Sequence, residues 1–136
     1  MLIVIKITNC IHRGDLLIMA KRILIAEDNP EHIEIITTFS KIHGYEYVVV
    51  TDGIDLLTTS TNEQFDLIIT DLRMNNLDGA SATEVIKMQG NTVPVIALTA
   101  LSPNEILLVH DKFTKIYHKP CNYNELFEYI ETLIGK

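Results

Sequence analysis

Phe65-Asp66-Leu67-Ile68-Ile69-Thr70-Asp71-Leu72-Arg73-Met74 is the stretch whose reading decides the fold. Its apolar and β-branched run is closed by an acid and then by the turn-rich Asn75-Asn76-Leu77-Asp78-Gly79, which reads as a buried strand opening into a loop. Asp71 is therefore delivered to the end of a strand. In open α/β sheets ligands bind outside the carboxyl ends of the strands, so Asp71 is the candidate reactive group and the other segments are read for partners aimed at it.

Upstream, Lys21-Arg22-Ile23-Leu24-Ile25-Ala26-Glu27-Asp28 repeats the pattern of apolar strand and acidic finish. A strand apolar on both faces belongs to a sheet covered on both faces. Asn29 then caps a helix with Pro30 at its first position, Ile33, Ile36, Phe39 and His43 recur at helical spacing, and Gly44 ends it. A second strand at 46–50 leads through Thr51-Asp52-Gly53 into a helix with Leu56 and Leu57. Thr58-Thr59-Ser60-Thr61 is poor helix material, which predicts a short or frayed element there.

Downstream of Asp71, Asp78 caps a third helix that buries Ala82, Val85 and Ile86 and stops near Gly90. Val93 to Thr99 is the fourth strand, and Ser102-Pro103-Asn104-Glu105 is a capping box opening the fourth helix. Ile106 to Val109 are apolar in succession, which leaves a face exposed to a partner. Phe113 to His118 holds the fifth strand, and Asn122-Tyr123-Asn124-Glu125 reads as another capping box for a last helix with the stripe Leu126, Tyr129, Ile130, Leu133. Five strands alternating with five helices make a single-domain α/β protein with a doubly wound parallel sheet.

The 136 residues suffice for one such domain, and 47% hydrophobic with 21% charged residues is ordinary globular composition. Eleven Lys and Arg against eighteen Asp and Glu leave a net charge of -7, which opposes gripping nucleic acid or anionic membrane. Cys10 and Cys121 follow no metal or redox spacing and read as reduced thiols of a cytoplasmic protein. Residues 1–20 stand apart from the domain at 21–136. Their apolar runs at 2–7 and 16–20 are too short to span a bilayer and lack the pattern of a secretory signal. They fit an added edge strand, a partner-contacting arm, or a start site placed ahead of a natural initiator at Met19, and the run Met19-Ala20-Lys21-Arg22 straight into the first strand favours the last.

The residues ending the strong strands are Glu27 and Asp28, then Asp71, Thr99 and Lys119. A lone acid, Thr or Lys after a strand is usually a turn residue; the conjunction at one sheet edge carries the argument. Clustered carboxylates repel unless a hard cation joins them, and Mg2+ takes oxygen ligands. With an ammonium and a hydroxyl added, the set suits a transferring phosphoryl group, with Asp71 as nucleophile. The five histidines have no metal-ligand spacing and read as solvated or helix-end residues.

Ile25-Ala26-Glu27-Asp28-Asn29, Asp71-Leu72-Arg73-Met74 with Asp78-Gly79, Thr99-Ala100 and Lys119-Pro120 together resemble the receiver domain of two-component response regulators, over residues 21–135. The resemblance implies a flavodoxin-like sheet of order 2-1-3-4-5, as in chemotaxis receivers. It implies that Asp71 accepts a phosphoryl group from a histidine kinase or histidine phosphotransfer protein. Asp28, Asp71 and the backbone carbonyl of Arg73 would ligate Mg2+, with Glu27 assisting through water. Lys119 would pair with the phosphoryl oxygens and Thr99 would hydrogen-bond one of them, with Ala100 leaving room. The added roughly -1.5 to -2 charges would bias a surface around helix four, strand five and helix five toward a downstream target.

This chain departs from the family pattern in two places. Ile116 stands where the family usually has an aromatic residue, with Tyr117 one place later on the opposite face, and Asn75 replaces the usual proline. Arg73 and Leu101, two residues beyond Asp71 and Thr99, are expected to influence dephosphorylation. The chain thus reads as a signalling switch more than an enzyme, either stand-alone or the receiver of a hybrid kinase, monomeric or weakly dimeric, without direct nucleic-acid or membrane contact. A degenerate receiver that only docks proteins is the rival. An aspartyl-phosphate phosphatase would need an acid where Arg73 stands, and a nucleotide carrier a Gly-rich loop where Glu27-Asp28-Asn29-Pro30 stands.

Overall fold

The protein is described from a computed structural model that covers residues 10–13 and 16–136. Its first two strands, β1 (Cys10–Arg13) and β2 (Leu16–Met19), pair antiparallel with each other, Cys10 opposite Met19, in a sheet of their own. Among the described residues, the strands at 10–13 and 16–19 therefore do not join the main sheet, as the edge-strand reading required. The apolar run at 2–7 and the side chains of Cys10 and His12 lie outside the described residues.

The main sheet has five parallel strands: β3 (Arg22–Ala26), β4 (Glu46–Val50), β5 (Leu67–Thr70), β6 (Val95–Thr99) and β7 (Lys115–His118). Their spatial order β4-β3-β5-β6-β7 is 2-1-3-4-5 when β3 is counted first. The connecting helices are α1 (Pro30–Ile42), α2 (Gly53–Asn62), α3 (Gly79–Met88), α4 (Pro103–Leu107) and α5 (Tyr123–Ile134), with a 3-10 turn at His110–Lys112.

The period-two alternation of strand side chains divides the core into two layers. Ile23, Ile25, Leu67, Ile69, Ile96 and Leu98 face α1 and α5 and meet Ile36, Leu126, Phe127 and Ile130. Leu24, Ala26, Ile68, Val95 and Ala97 face the other way, onto Leu56 of α2 and Ala82 and Ile86 of α3. Each fully buried Leu, Ile or Phe in these layers contributes about 1.5–3 kcal/mol of transfer free energy, so the sheet is fixed in register from both sides. Tyr117 packs into the α5 layer and Ile116 into the opposite one, as their adjacency in β7 requires.

Local signals mostly behave as read. Asn29 Oδ1 accepts from the Glu31 and His32 amides, Asp78 accepts from Ser81 N, and the Ser102–Glu105 capping box closes in both directions. Two expectations are corrected. Helix α2 does not fray at its threonines: it runs unbroken to Asn62, because the Ser60 and Thr61 hydroxyls donate back to Leu57 O and Ser60 is itself buried. At α5 only half a capping box forms, since Asn122 accepts from the Asn124 and Glu125 amides while no return bond from Glu125 is made. Helix α4 buries none of its residues: its last residue, Leu107, is 66% exposed and its C-cap, Leu108, 80%.

Candidate functional site

The parallel strands bring their carboxyl ends to one edge, and the candidate residues meet there. β3 ends at Ala26, so Glu27 follows directly and is fixed by its amide donating to Val50 O of β4. Its side chain is buried, and Oε2 accepts from the amides of Asp28 and Asn29. Asp71 follows β5, its amide donating to Ala26 O and its Oδ1 accepting from Leu72 N and Arg73 N. Oxygen atoms of Glu27, Asp28 and Asp71 lie within 4.8 Å of one another.

The Lys119 ammonium reaches into this cluster, 2.6 Å from Glu27 Oε1 and 3.1 Å from Asp71 Oδ2. It gets there because β7 ends at His118 and the Lys119 amide donates to Thr99 O, before a cis Lys119–Pro120 peptide. Burial by itself draws the ammonium down, but the bond to Glu27 and the charge and bond of Asp71 outweigh it, and the pKa stands above the ordinary lysine value. The lysine is a charged partner of the carboxylates, not a neutral amine.

Thr99 is wholly buried at the end of β6, with its Oγ1 accepting from Leu101 N, and it makes no hydrogen bond to Asp71 or Lys119. Arg73 is an exposed side chain, and its guanidinium pairs with Glu105 of α4 at 2.8 Å. Asp28 is the exposed member of the acidic cluster and Glu27 the buried one. Glu27 bonds Lys119 directly, a contact absent from the sequence-based expectation of a purely assisting acid.

The loop carrying Asp71 is fastened on its far side. Asp52 bridges to Asn75 and accepts from Asn76 Nδ2 at 3.0 Å, and the Asp55 amide, foremost among the bonds to Asp52, helps hold its carboxyl below the usual range. Asn76 has φ +68°, a left-handed position that Asn tolerates. Gly79 packs so close that a Cβ there would lie 2.1 Å from Asp71 O.

Two histidines, His32 at a helix start and His118 exposed, make contacts at the site beyond the solvated or helix-end role expected of them. His32, in the first turn of α1, places Nδ1 3.1 Å from Lys119 Nζ and 3.4 Å from Glu27 Oε1. His118 Nε2 lies 3.1 Å from Leu101 O, joining β7 to the loop beyond Thr99. The cap at Asn29 is the signal that could have found His32, since helical side chains lean toward the N-terminus and so toward the strand ends.

The pattern of the response regulator receiver domain matches residues 23–131. The chain belongs to the response regulator receiver family. It is thus a receiver domain of two-component systems, with relatives in both transcriptional regulators and sensor kinases. This receiver is 32% identical over 107 residues to transcription factor SKN7 of Candida albicans, covering 77% of its own length and 19% of that protein. The chain spans less than a fifth of the length of its curated SKN7 relatives. It superposes with a TM-score of 0.79 on the receiver domain of a sensor histidine kinase from Pseudomonas aeruginosa, 32% identical, covering 86% of this chain and 99% of that one. That structure has a magnesium ion coordinated in its active-site cleft. The response regulator TrrA of Thermotoga maritima, in complex with Mg(2+)-BeF, is 27% identical with a TM-score of 0.76, covering 83% of this receiver and 98% of TrrA. The three-carboxylate cluster of this receiver is a hard-oxygen donor set that fits such an ion. Among the described residues no helix is long and apolar enough to cross a membrane.

Proposed function

We propose that residues 21–136 form a phosphoacceptor receiver, with residues 1–20 an extension, and that Asp71 takes a phosphoryl group from the phosphohistidine of a histidine kinase or phosphotransfer protein. The observation that carries the reading is the Lys119 ammonium seated between Glu27 and Asp71 at the mouth of a three-carboxylate cluster. The carboxylates of Glu27, Asp28 and Asp71, with the Arg73 carbonyl, would hold Mg2+. A bound Mg2+ supplies neutralising charge for carboxylates and phosphoryl oxygens facing one another.

The chain's own residues do the rest. An Asp71 carboxylate oxygen forms a P–O bond in line as the P–N bond of the phosphohistidine breaks, its electron pair returning to the imidazole nitrogen. Lys119 balances the charge brought in, and Thr99 offers its hydroxyl proton to a phosphoryl oxygen. The new charge then biases the surface around α4, β7 and α5, where Leu107 and Leu108 stand exposed for a downstream protein. The magnesium site of the Pseudomonas receiver and the Mg(2+)-BeF complex of TrrA support the same assignment.

Ile116, packed where the family usually has an aromatic residue, favours as a second reading a receiver that docks without being phosphorylated. One experiment separates the two. Acetyl phosphate, or beryllofluoride, with Mg2+ should shift amide resonances of wild type around Asp71, and leave Asp71→Asn unmoved. A wild type that does not respond, or an Asp71→Asn variant that responds equally, rejects the phosphoacceptor reading.

A further inference from the structure

An ammonium has three N–H donors and no lone pair, and around Lys119 three acceptors stand: Glu27 Oε1, Asp71 Oδ2 and His32 Nδ1. The first two belong to the site as proposed above. The third has no part in it. Nζ can only donate, so this bond uses the Nδ1 lone pair of the His32 tautomer that carries its ring proton on Nε2.

The two carboxylates that bond Nζ have their other oxygens engaged, and Asp28 makes no hydrogen bond to Nζ. Glu27 Oε2 is occupied by the Asp28 and Asn29 amides, and Asp71 Oδ1 by those of Leu72 and Arg73. The Lys119 side chain is only 11% exposed, so without His32 an N–H loses its third partner in a nearly closed place. His32 is itself fixed from the backbone, its amide donating to the capping Asn29 Oδ1. Two anchors on one side of the ammonium, His32 and Glu27, leave the third donor aimed at Asp71 Oδ2.

We infer that His32 is a positioning residue for Lys119, holding two of its donors in place together with Glu27 so that the third meets the phosphoryl group on Asp71. The inference rests on the phosphoacceptor reading. It assigns His32 a larger effect on binding of the phosphoryl group than on binding of the metal, because the Lys119 charge stays in the pocket when only its orientation is lost.

The test compares wild type with His32→Leu, which removes the acceptor, and His32→Asn, whose Oδ1 stands as many bonds from the backbone as Nδ1. Mg2+ affinity is measured alone by calorimetry, and beryllofluoride affinity in saturating Mg2+ by fluorine NMR. His32→Leu should weaken beryllofluoride binding by about tenfold or more, the loss expected for one hydrogen bond to a charged group. Its Mg2+ affinity should stay within about twofold, and His32→Asn should match wild type on both, by the same reasoning from acceptor geometry. His32→Ala repeats the test without apolar bulk. Beryllofluoride binding unchanged in His32→Leu and His32→Ala, equal loss in His32→Asn, or a parallel loss of Mg2+ affinity overturns the inference. A wild type that binds Mg2+ and not beryllofluoride overturns the phosphoacceptor reading, and this inference with it.

Discussion

Replacing Lys119 with Met should lower stability in the absence of divalent ions and raise it in their presence more than in wild type. The Lys119 side chain is 11% exposed and that of Glu27 2%, so the pair is nearly buried. Removing one partner of such a pair costs about 3–5 kcal/mol, because the other charge stays behind unpaired. Here Glu27 keeps two amide bonds and Asp71 keeps two, which puts the loss near the lower end, about 3 kcal/mol. For a chain of this size that is a fall in Tm of roughly 10 °C. The same substitution takes a positive charge out of a cluster of three carboxylates. At an effective dielectric constant of about 20 a unit charge at roughly 4 Å is worth up to about 4 kcal/mol, and the open mouth of the site reduces this to about 1–2 kcal/mol. Mg2+ should therefore bind about tenfold more tightly to Lys119→Met, and its stabilising effect, which follows the ratio of ligand to Kd, should grow accordingly. Urea unfolding in EDTA and at several Mg2+ concentrations reads both quantities. A variant as stable as wild type in EDTA, or one that Mg2+ stabilises less, would refute the account of Lys119 as the cation that holds the carboxylates together.

Three further outcomes follow from the geometry. Gly79→Ala puts a Cβ 2.1 Å from Asp71 O and 2.9 Å from Thr70 Oγ1, so the loop must shift; overpacking of this kind costs about 1–3 kcal/mol, and denaturant melts should show it together with weakened Mg2+ binding. Tyr45 donates to Gly135 O at 2.7 Å, and burial, with the charge of Glu131, pushes its phenol up to about 12. A phenol whose pKa is higher folded than unfolded leaves stability flat below about pH 10 and erodes it as the pH rises toward the folded value, a slope that Tyr45→Phe should remove in alkaline unfolding curves. Arg73→Ala and Leu101→Ala should each change the lifetime of the phosphorylated protein by about threefold, under 1 kcal/mol of barrier; lifetimes equal to wild type in both would remove these side chains from the hydrolysis step.

The placement of Ile116 and Tyr117 bears on how a signal leaves the site. Their alternation in β7 commits Tyr117 to the α5 layer, where its ring meets Tyr129 edge-on at 6.3 Å. Ile116 takes the side shared with Leu101 and Val109. An aliphatic branch fills that volume but has neither a flat ring to swing nor a hydroxyl to exchange partners. A polar contact also reaches from β7 to the loop beyond Thr99, from His118 to Leu101 O. In this receiver the loop that follows Thr99 meets β7 through the His118 side chain, next to Lys119, and through the apolar cluster shared by Ile116 and Leu101.

What the sequence made legible follows from which physical rule placed each residue. Asp71, Glu27 and Lys119 were readable because a parallel sheet sends every strand end to one edge, and a short apolar run with a polar terminus marks that end without ambiguity. The caps at Asn29, Asp78 and Ser102 were readable because a side chain bonding its own helix's amides is a local event. The path of α2 was misread for the opposite reason. Propensity weighs each threonine or serine alone, whereas burial of Ser60 and the back-bonds to Leu57 O are supplied by the packed helix. Phe127 escaped the stripe of α5 because Leu126, Tyr129, Ile130 and Leu133 already satisfied the helical period, yet it is wholly buried and stacks on Phe39 of α1 at 5.5 Å. His32 is the case where local and non-local rules meet: the cap fixes its position on α1, but its partner is 87 residues away. Spacing can place a histidine at a helix start, and only the reach of the Lys119 side chain from the end of β7 to Glu27 brings an ammonium to it.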